Sequence, residues 1–317
     1  MAGCPDSTRT RFAPSPTGDL HLGGAWAAVA SFEMARRSGG NASAHVLRVE
    51  DLDRPRVVGG SIERILEDLA WLGITWDEGP DVTPRGPFAP YTQSARGALY
   101  LAALEDLTAR GHTYPCDCSR AEIARVASAP HAGDEVVYPG TCRDLDPARA
   151  FKRQPAIRLR VPDARVEIVD GIMGPFAHDL AKDVGDFVLQ RGDGVFAYQL
   201  AVTVDDLAMR ITDVTRGADL LASTPRQIVL ARMLGATVTP RYWHVPLVVA
   251  TDGARLAKRT RGATVRDLRA AGVSAAEIVH ALRVGLGLGD EGGDGSAKWR
   301  REPWPIPACW TERFSPA

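Results

Sequence analysis

The stretch RFAPSPTGDLHLGG, Arg11 to Gly24, narrows the possible folds more than any other part of the chain. It runs directly into GAWAAVASFEMARRSG, whose Ala-rich composition, Arg36 and Arg37 in the last turn and Gly39 as a stop describe a helix. Pro14 and Pro16 stiffen the loop in advance, and Gly18 and Gly23 remove side chains where a ligand could lie against the backbone. A helix N-terminus offers unpaired N–H groups and partial positive charge, so this junction suits a phosphate. His21 can add a hydrogen bond to a phosphoryl oxygen whose charge grows in a transition state. The same residues also read as a Pro-Gly turn with a capping histidine. Neither GxxxxGK[ST] nor a well-placed GxGxxG is present, which leaves a less common nucleotide-binding solution.

After this unit, HVLRV supplies a short buried strand that ends in EDLDRPR. SIERILEDLAWLG places Ile62, Ile65, Leu66, Leu69 and Leu72 at helical spacing, and Gly73 closes it. ARGALYLAALEDLTARG repeats the pattern with Leu101, Leu104 and Leu107. Strand, helix, strand, helix, helix favours a parallel sheet covered by helices. From about Thr113 the pattern changes to short alternating strands, AIRLRV and VEIVDGIMG, and FVLQRGDGVFAY reads as a hairpin turning at Arg191 to Gly194. Alternation resumes with LAVTVDDLAM, RITDVTRG, the helix ASTPRQIVLARMLG and the strand WHVPLVV. The expected architecture is α/β, with a Rossmann-like parallel-sheet domain split over residues 8–93 and 196–262. An α+β insertion over 94–195 interrupts it, and a short helical segment with an aromatic, proline-rich tail follows over 263–317.

Composition limits the partners. A net charge of -1 and a pI near 6.7 give no global basic field, so a polyanion must be met by local patches. The first twenty residues lack the apolar core of a signal peptide, and no apolar run approaches a membrane span. Five cysteines, three of them between Cys116 and Cys142, argue for reduced thiols and a cytoplasmic protein. By spacing, Cys116, Cys118 and Cys142 could share a zinc ion, whereas Cys4 and Cys309 carry no role. Far along the chain, RLAKRTRG packs Arg255, Lys258, Arg259 and Arg261 into one loop. It reads as a solvated basic loop, or as one that closes on a departing pyrophosphate.

RFAPSPTGDLHLGG resembles the opening signature of class I glutamyl-tRNA synthetases, and RLAKR stands where that family carries its Lys-Met-Ser-Lys-Ser loop. LRVEDLDRPR, FAYQLAVTVDD and DVTRGADLLASTPRQ resemble three further blocks, in the same order. The chain departs at Gly24, where the family often has a second histidine, and at Arg255 and Ala257 in the loop. Too few residues follow Gly262 for the family's anticodon-binding region. Together with PCDC and YPGTC, that resembles a truncated branch which attaches glutamate to the queuosine base of tRNA(Asp).

The resemblance implies activation of L-glutamate with ATP and Mg2+, transfer to tRNA(Asp) carrying queuosine, one structural Zn2+ per chain, and a monomer with no membrane partner. It assigns His21 and Lys258 to catalysis, with Gly18, His21, Gly23 and Lys258 on ATP. Glutamate falls to Arg11, Phe12, Ala13, Pro14, Ser15, Glu50, Tyr198 and Arg216. The types make chemical sense: guanidinium groups bind carboxylates bidentately, Glu50 takes the ammonium, and Tyr198 and Ser15 offer neutral hydrogen bonds. Asp51 and Asp53 are an alternative magnesium pair. The fourth zinc ligand is implied to be Tyr138, with His131 and His112 as rivals. A synthetase charging tRNA(Glu), or a non-catalytic tRNA-binding paralogue, are the competing readings.

Overall fold

The computed structural model describes residues 8–37, 43–83, 86–126, 137–253, 264–288 and 299–312. The opening segment forms β1 (Arg9–Phe12), a loop, and α1 (Leu22–Arg37), and β2 (Ala44–Leu47) then lies parallel to β1. Two helices follow, α2 (Ser61–Trp71) and α3 (Gly97–Ala109). The apolar face of α3 is Tyr100, Leu104 and Leu107; Leu101 is 46% exposed, so the expected stripe is displaced by one residue onto the tyrosine.

The insertion contains β3 (Thr113–Cys116), α4 (Arg120–Val126), β4 (Ala156–Leu159), the hairpin β5 (Arg165–Asp170) and β6 (Gly174–Asp179), and β7 (Val188–Gln190). Strands β3, β4 and β7 make an antiparallel sheet in that order. The expected hairpin at Arg191 to Gly194 is shorter than its pattern suggests: Phe196 bridges back to Gln190, and a helix starts two residues later. That helix is α5 (Tyr198–Ala208), so Tyr198 begins a helix and does not sit in a hairpin arm.

The parallel sheet resumes with β8 (Asp213–Gly217) and, after α6 (Thr224–Met233), β9 (Arg241–Val245); the short β10 (Val248–Val249) follows outside it. The sheet order is β2-β1-β8-β9, all parallel, a Rossmann-like arrangement. One face packs on α1, α2, α7 (Val265–Ala270) and α8 (Ala275–Leu286) through Phe12, Leu47 and Val245. The other packs on α3, α5 and α6 through Val46, Val214 and Tyr242. This is the period-2 alternation expected of a sheet covered on both sides. The tail is part of the first core: β11 (Trp304–Pro305) pairs parallel with β10, and Trp304 stacks on Trp26 at 4.8 Å between ring centroids. A final short helix, α9 (Ala308–Glu312), follows. In the tail's Lys-Trp-Arg-Arg run at 298–301, Lys298 lies outside the described residues, Trp299 packs against the core, and Arg300 and Arg301 are exposed.

Candidate functional site

The chain leaves β1 for β2 on one side and returns through β8 and β9 on the other, so the strand order reverses between β1 and β8. Open sheets of this kind bind ligands at the carboxyl ends of the strands flanking that reversal. Here the two strands share one registered pair, Thr10 with Asp213, while β8 and β9 are in register over their whole length. Beyond Thr10 the Arg11 side chain bridges the gap, donating from Nη1 to the Thr215 carbonyl at 3.2 Å.

On the face that packs against α5, the apolar alternation of the strands gives way to charge. Arg11 is registered with Val46, and Arg48 follows two positions on; Val214 is followed by Arg216, and Tyr242 by His244. These side chains therefore gather at one end of one face, against Asp206 of α5. Arg11 Nε lies 3.2 and 3.3 Å from the two Asp206 carboxylate oxygens, and Arg48 Nη1 donates to Asp206 at 2.6 Å. Arg48 is fully buried and also donates to Glu50 at 3.0 Å. Burial opposes ionisation of Asp206, but the Arg11 and Arg48 guanidinium groups hold its carboxyl below the usual range. Glu50 has less compensation: burial pushes it up despite Arg48 and Arg11. An incoming ammonium group would relieve that burden.

Arg216 differs from the other two arginines. It is 4% exposed, and all its hydrogen-bond partners are neutral acceptors. Nε donates to His244 Nε2 at 3.0 Å, Nη1 to Gln227 Oε1 at 2.7 Å, and Nη2 to Thr224 Oγ1 at 2.9 Å and the Leu220 carbonyl at 3.4 Å. No carboxylate of a described residue lies within ion-pair distance of it. The guanidinium is thus oriented without being neutralised. Tyr198 stands at the start of α5 with its hydroxyl bonded to no described residue; burial raises its phenol, and Arg216, Glu50 and Arg11 all act on it electrostatically. Arg11, Glu50, Tyr198 and Arg216 therefore share one site.

The loop after β1 is fastened beside them. The Arg48, Glu50 and Val58 amides donate to the Phe12, Pro14 and Pro16 carbonyls at 2.9–3.0 Å, so Ala13 to Ser15 lie along the extension of β2. The Phe12 side chain points away into the core, which leaves only its backbone near the site; Ser15 is exposed. Gly18, at φ +142°, occupies a backbone region that side chains rarely adopt, and hydrogen-bonds with Ser61 at the start of α2. His21 is exposed just before α1, and its Nδ1 accepts from the Gly24 amide at 3.1 Å. A Cβ on Gly23 would come within 3.1 Å of that ring, so this glycine makes room for His21 itself. Lys258, with Arg255, Ala257, Arg259 and Arg261, lies outside the described residues. Thr264, which follows that segment, bridges to His21, and the Val265 amide donates to the Leu20 carbonyl at 2.9 Å. Thr264 and Val265 are thus anchored beside the histidine.

The thiols of Cys116, Cys118 and Cys142 lie within 4.8 Å of one another, the one group of His, Cys, Asp and Glu among the described residues that could hold a metal ion. The Tyr138 hydroxyl is 3.3 Å from the Cys116 sulfur and 3.7 Å from that of Cys118, and accepts from the Cys142 amide at 2.9 Å. Tetrahedral zinc at about 2.3 Å from each sulfur needs sulfurs about 3.8 Å apart, close to this spacing. Cys118 and Cys142 are 3.5 Å apart. His112 is not in this group, and His131 and Cys4 lie outside the described residues. Asp51 is engaged elsewhere, accepting from the Ser94 amide and hydroxyl at 2.8 and 2.6 Å, while Asp53 lies beside Arg56 and Arg191.

A glycine-rich loop at a helix start, buried arginines at the carboxyl ends of a parallel sheet and an inserted subdomain are the features of a class I synthetase catalytic domain. The family of class I (E and Q) tRNA synthetases, catalytic domain, matches residues 7–293. A solved glutamate tRNA ligase from Elizabethkingia meningosepticum, in complex with its amino acid, superposes with a TM-score of 0.75 at 26% identity, covering 97% of this chain and 68% of that one. The glutamyl-Q tRNA(Asp) synthetase of Nitratidesulfovibrio vulgaris is 49% identical over 286 residues, 88% of this chain and 86% of that protein. That of Geobacter sulfurreducens is 54% identical over 263 residues, 81% and 78%. The chain belongs to the glutamyl-Q tRNA(Asp) synthetases, a branch of the class I glutamyl and glutaminyl family.

The resemblance pointed to Arg11, Glu50, Tyr198 and Arg216. It did not single out Arg48, Asp206, His244 or Asp170. For Arg48 and His244 a partial signal lay in the strand parity, since each follows an apolar position two residues before it; Asp206, on a helix, and Asp170, in the insertion, had none.

Proposed function

We infer that this protein activates L-glutamate with ATP and transfers it to the queuosine base of tRNA(Asp), acting as a monomer in the cytoplasm. The observation that carries the reading is Arg216, a buried cation whose hydrogen-bond acceptors in the protein are all neutral, sharing a site with the buried carboxylate Glu50. A substrate with a carboxylate for the first and an ammonium for the second satisfies both. Arg11 is partly committed to Asp206, so it sets the field of the site and leaves its remaining N–H groups for the second carboxylate.

In the reaction, the α-carboxylate of glutamate attacks the α-phosphorus of Mg–ATP in line, the bond to the β-phosphate oxygen breaks, and magnesium pyrophosphate leaves. His21, the N-terminus of α1 and Lys258 act on the phosphates by position and charge, with no proton transfer required of them. A ring hydroxyl of the queuosine base then attacks the mixed anhydride and loses its proton, AMP departs, and an ester remains. A cavity of about 590 Å³ opens at Tyr198 between the cysteine subdomain and α5, lined in part by Arg120, Arg158, Gln199 and Arg226. Its cations suit the backbone of an entering nucleotide. Cys116, Cys118, Cys142 and Tyr138 would hold one Zn2+, which staples a subdomain with a small apolar core of its own.

The first half-reaction is testable alone. ATP–pyrophosphate exchange is expected to proceed with glutamate and no RNA, and to stay at background with aspartate or glutamine. An absence of exchange with glutamate contradicts the reading.

A further inference from the structure

Arg216 owes its orientation to a histidine that is itself fixed from behind. Asp170, at the end of β5, places Oδ2 2.6 Å from His244 Nδ1, and both groups are fully buried. Its Oδ1 accepts from the amides of Ile172, Met173 and His244 at 3.0, 2.8 and 3.1 Å. On the other side of the ring, Arg216 Nε points at His244 Nε2 from 3.0 Å. A guanidinium can only donate and an ionised carboxylate can only accept. The imidazole between them must therefore carry its single proton on Nδ1 and present a lone pair to Arg216. Burial and the neighbouring Arg216 charge keep His244 uncharged, while the hydrogen bonds to Asp170 hold that carboxyl low against its own burial.

Close packing builds the arrangement. The Gly171 amide donates to the Tyr242 carbonyl at 2.9 Å. A Cβ on Gly171 would stand 2.1 Å from the Trp243 ring, so only glycine lets the β5–β6 turn press against β9 and bring Asp170 to His244. Had Asp170 touched Arg216 directly, its charge would have been spent inside the protein.

We propose that His244, locked by Asp170 into the Nδ1-protonated tautomer, is a positioning residue that aims Arg216 at the substrate carboxylate while leaving its positive charge for that carboxylate. The proposal rests on Arg216 being a glutamate ligand, as read above. It extends the site to an aspartate on the inserted subdomain that touches no substrate.

Asp170→Asn tests it, because the surroundings dictate how the new amide sits. Its oxygen stays with the backbone amides that Oδ1 now serves, so the NH2 group faces Nδ1. The ring must then move its proton to Nε2, where it opposes the Arg216 N–H donor to donor. In glutamate-dependent ATP–pyrophosphate exchange, KM for glutamate should rise about 10-fold or more, as one lost hydrogen bond to a charged group implies, with KM for ATP within about 2-fold. In a His244→Gln background, Asp170→Asn should add less than about 2-fold, since the tautomer it controls is gone. Nitrogen-15 spectra of the wild-type imidazoles at pH 7 should show His244 neutral with its proton on Nδ1, a readout that needs no variant to fold. An Nε2-protonated or cationic His244, an unchanged KM for glutamate, or equal rises for glutamate and ATP would each overturn the proposal. A wild-type enzyme inert in exchange would instead overturn the glutamate reading on which it rests.

Discussion

Arg216→Ala is expected to lower kcat/KM for glutamate in ATP–pyrophosphate exchange by about 100-fold or more, with KM for ATP and the thermal midpoint close to wild type. The first half of that expectation follows from desolvation. Truncating one partner of a buried, hydrogen-bonded charge pair costs about 2–5 kcal/mol, or roughly 30-fold to several thousand-fold in affinity. The second half follows from the company Arg216 keeps. Its partners are His244, Gln227, Thr224 and a backbone carbonyl, so its removal strands no buried carboxylate. Arg48 provides the contrast: its loss would take from Glu50 its ion-pair partner and leave Asp206 with Arg11 alone. Arg216→Lys should not rescue activity, because one ammonium cannot span four fixed acceptors and still reach the substrate. A folded Arg216→Ala protein with unchanged glutamate kinetics would remove this residue from the site.

Cys116→Ser is expected to abolish a stoichiometry of about one zinc per chain and to unfold the cysteine subdomain. The apolar cluster there consists of Tyr114, Cys116, Tyr138 and Cys142 with Cys118 and Ile123 beside it, too little to hold a fold alone. Structural zinc sites contribute about 10–16 kcal/mol in isolated small domains at neutral pH, far more than such a cluster can replace. Asp117 and Asp186 brace the same region, through Arg149 at 2.6 Å and Tyr114 at 2.6 Å respectively, but both networks assume the thiols are already gathered. Glutamate activation should fall much less than transfer to RNA. The side chains proposed for activation stand on the parallel sheet and α5, whereas Tyr138 and Arg158 line the cavity proposed for the nucleotide. Metal analysis of the purified wild-type protein together with a chelator-dependent thermal transition checks this. Metal-free protein that melts unchanged in chelator contradicts it.

The sequence showed the fold where local pattern and tertiary packing agree. The Pro-Gly loop running into α1 and the buried strand HVLRV are such places, and both stand as expected, within a residue or two. It failed where burial erased periodicity. Leu200 to Asp206 of α5 are all buried, so LAVTV lacks the polar face that marks a helix, and the hairpin pattern before it ran on to Tyr198. The packing of the aromatic tail was not legible because Trp304 finds its partner, Trp26, almost a whole chain length away. The site divides on similar lines. Arg11 and Arg216 are legible through the resemblance, in whose motif blocks they stand, and guanidinium groups suit the carboxylates it implies. Asp206 and His244 looked like ordinary members of a helix and a strand, and only the register of β8 with β9 reveals that His244 faces Arg216.

The most direct test of the whole account follows the label. With radiolabelled glutamate and ATP, the protein should load tRNA(Asp) that carries queuosine, leave unmodified tRNA(Asp) and tRNA(Glu) bare, and keep the label on the anticodon fragment after nuclease cleavage. Label on the terminal adenosine of tRNA(Glu), with queuosine tRNA(Asp) unlabelled, would contradict it.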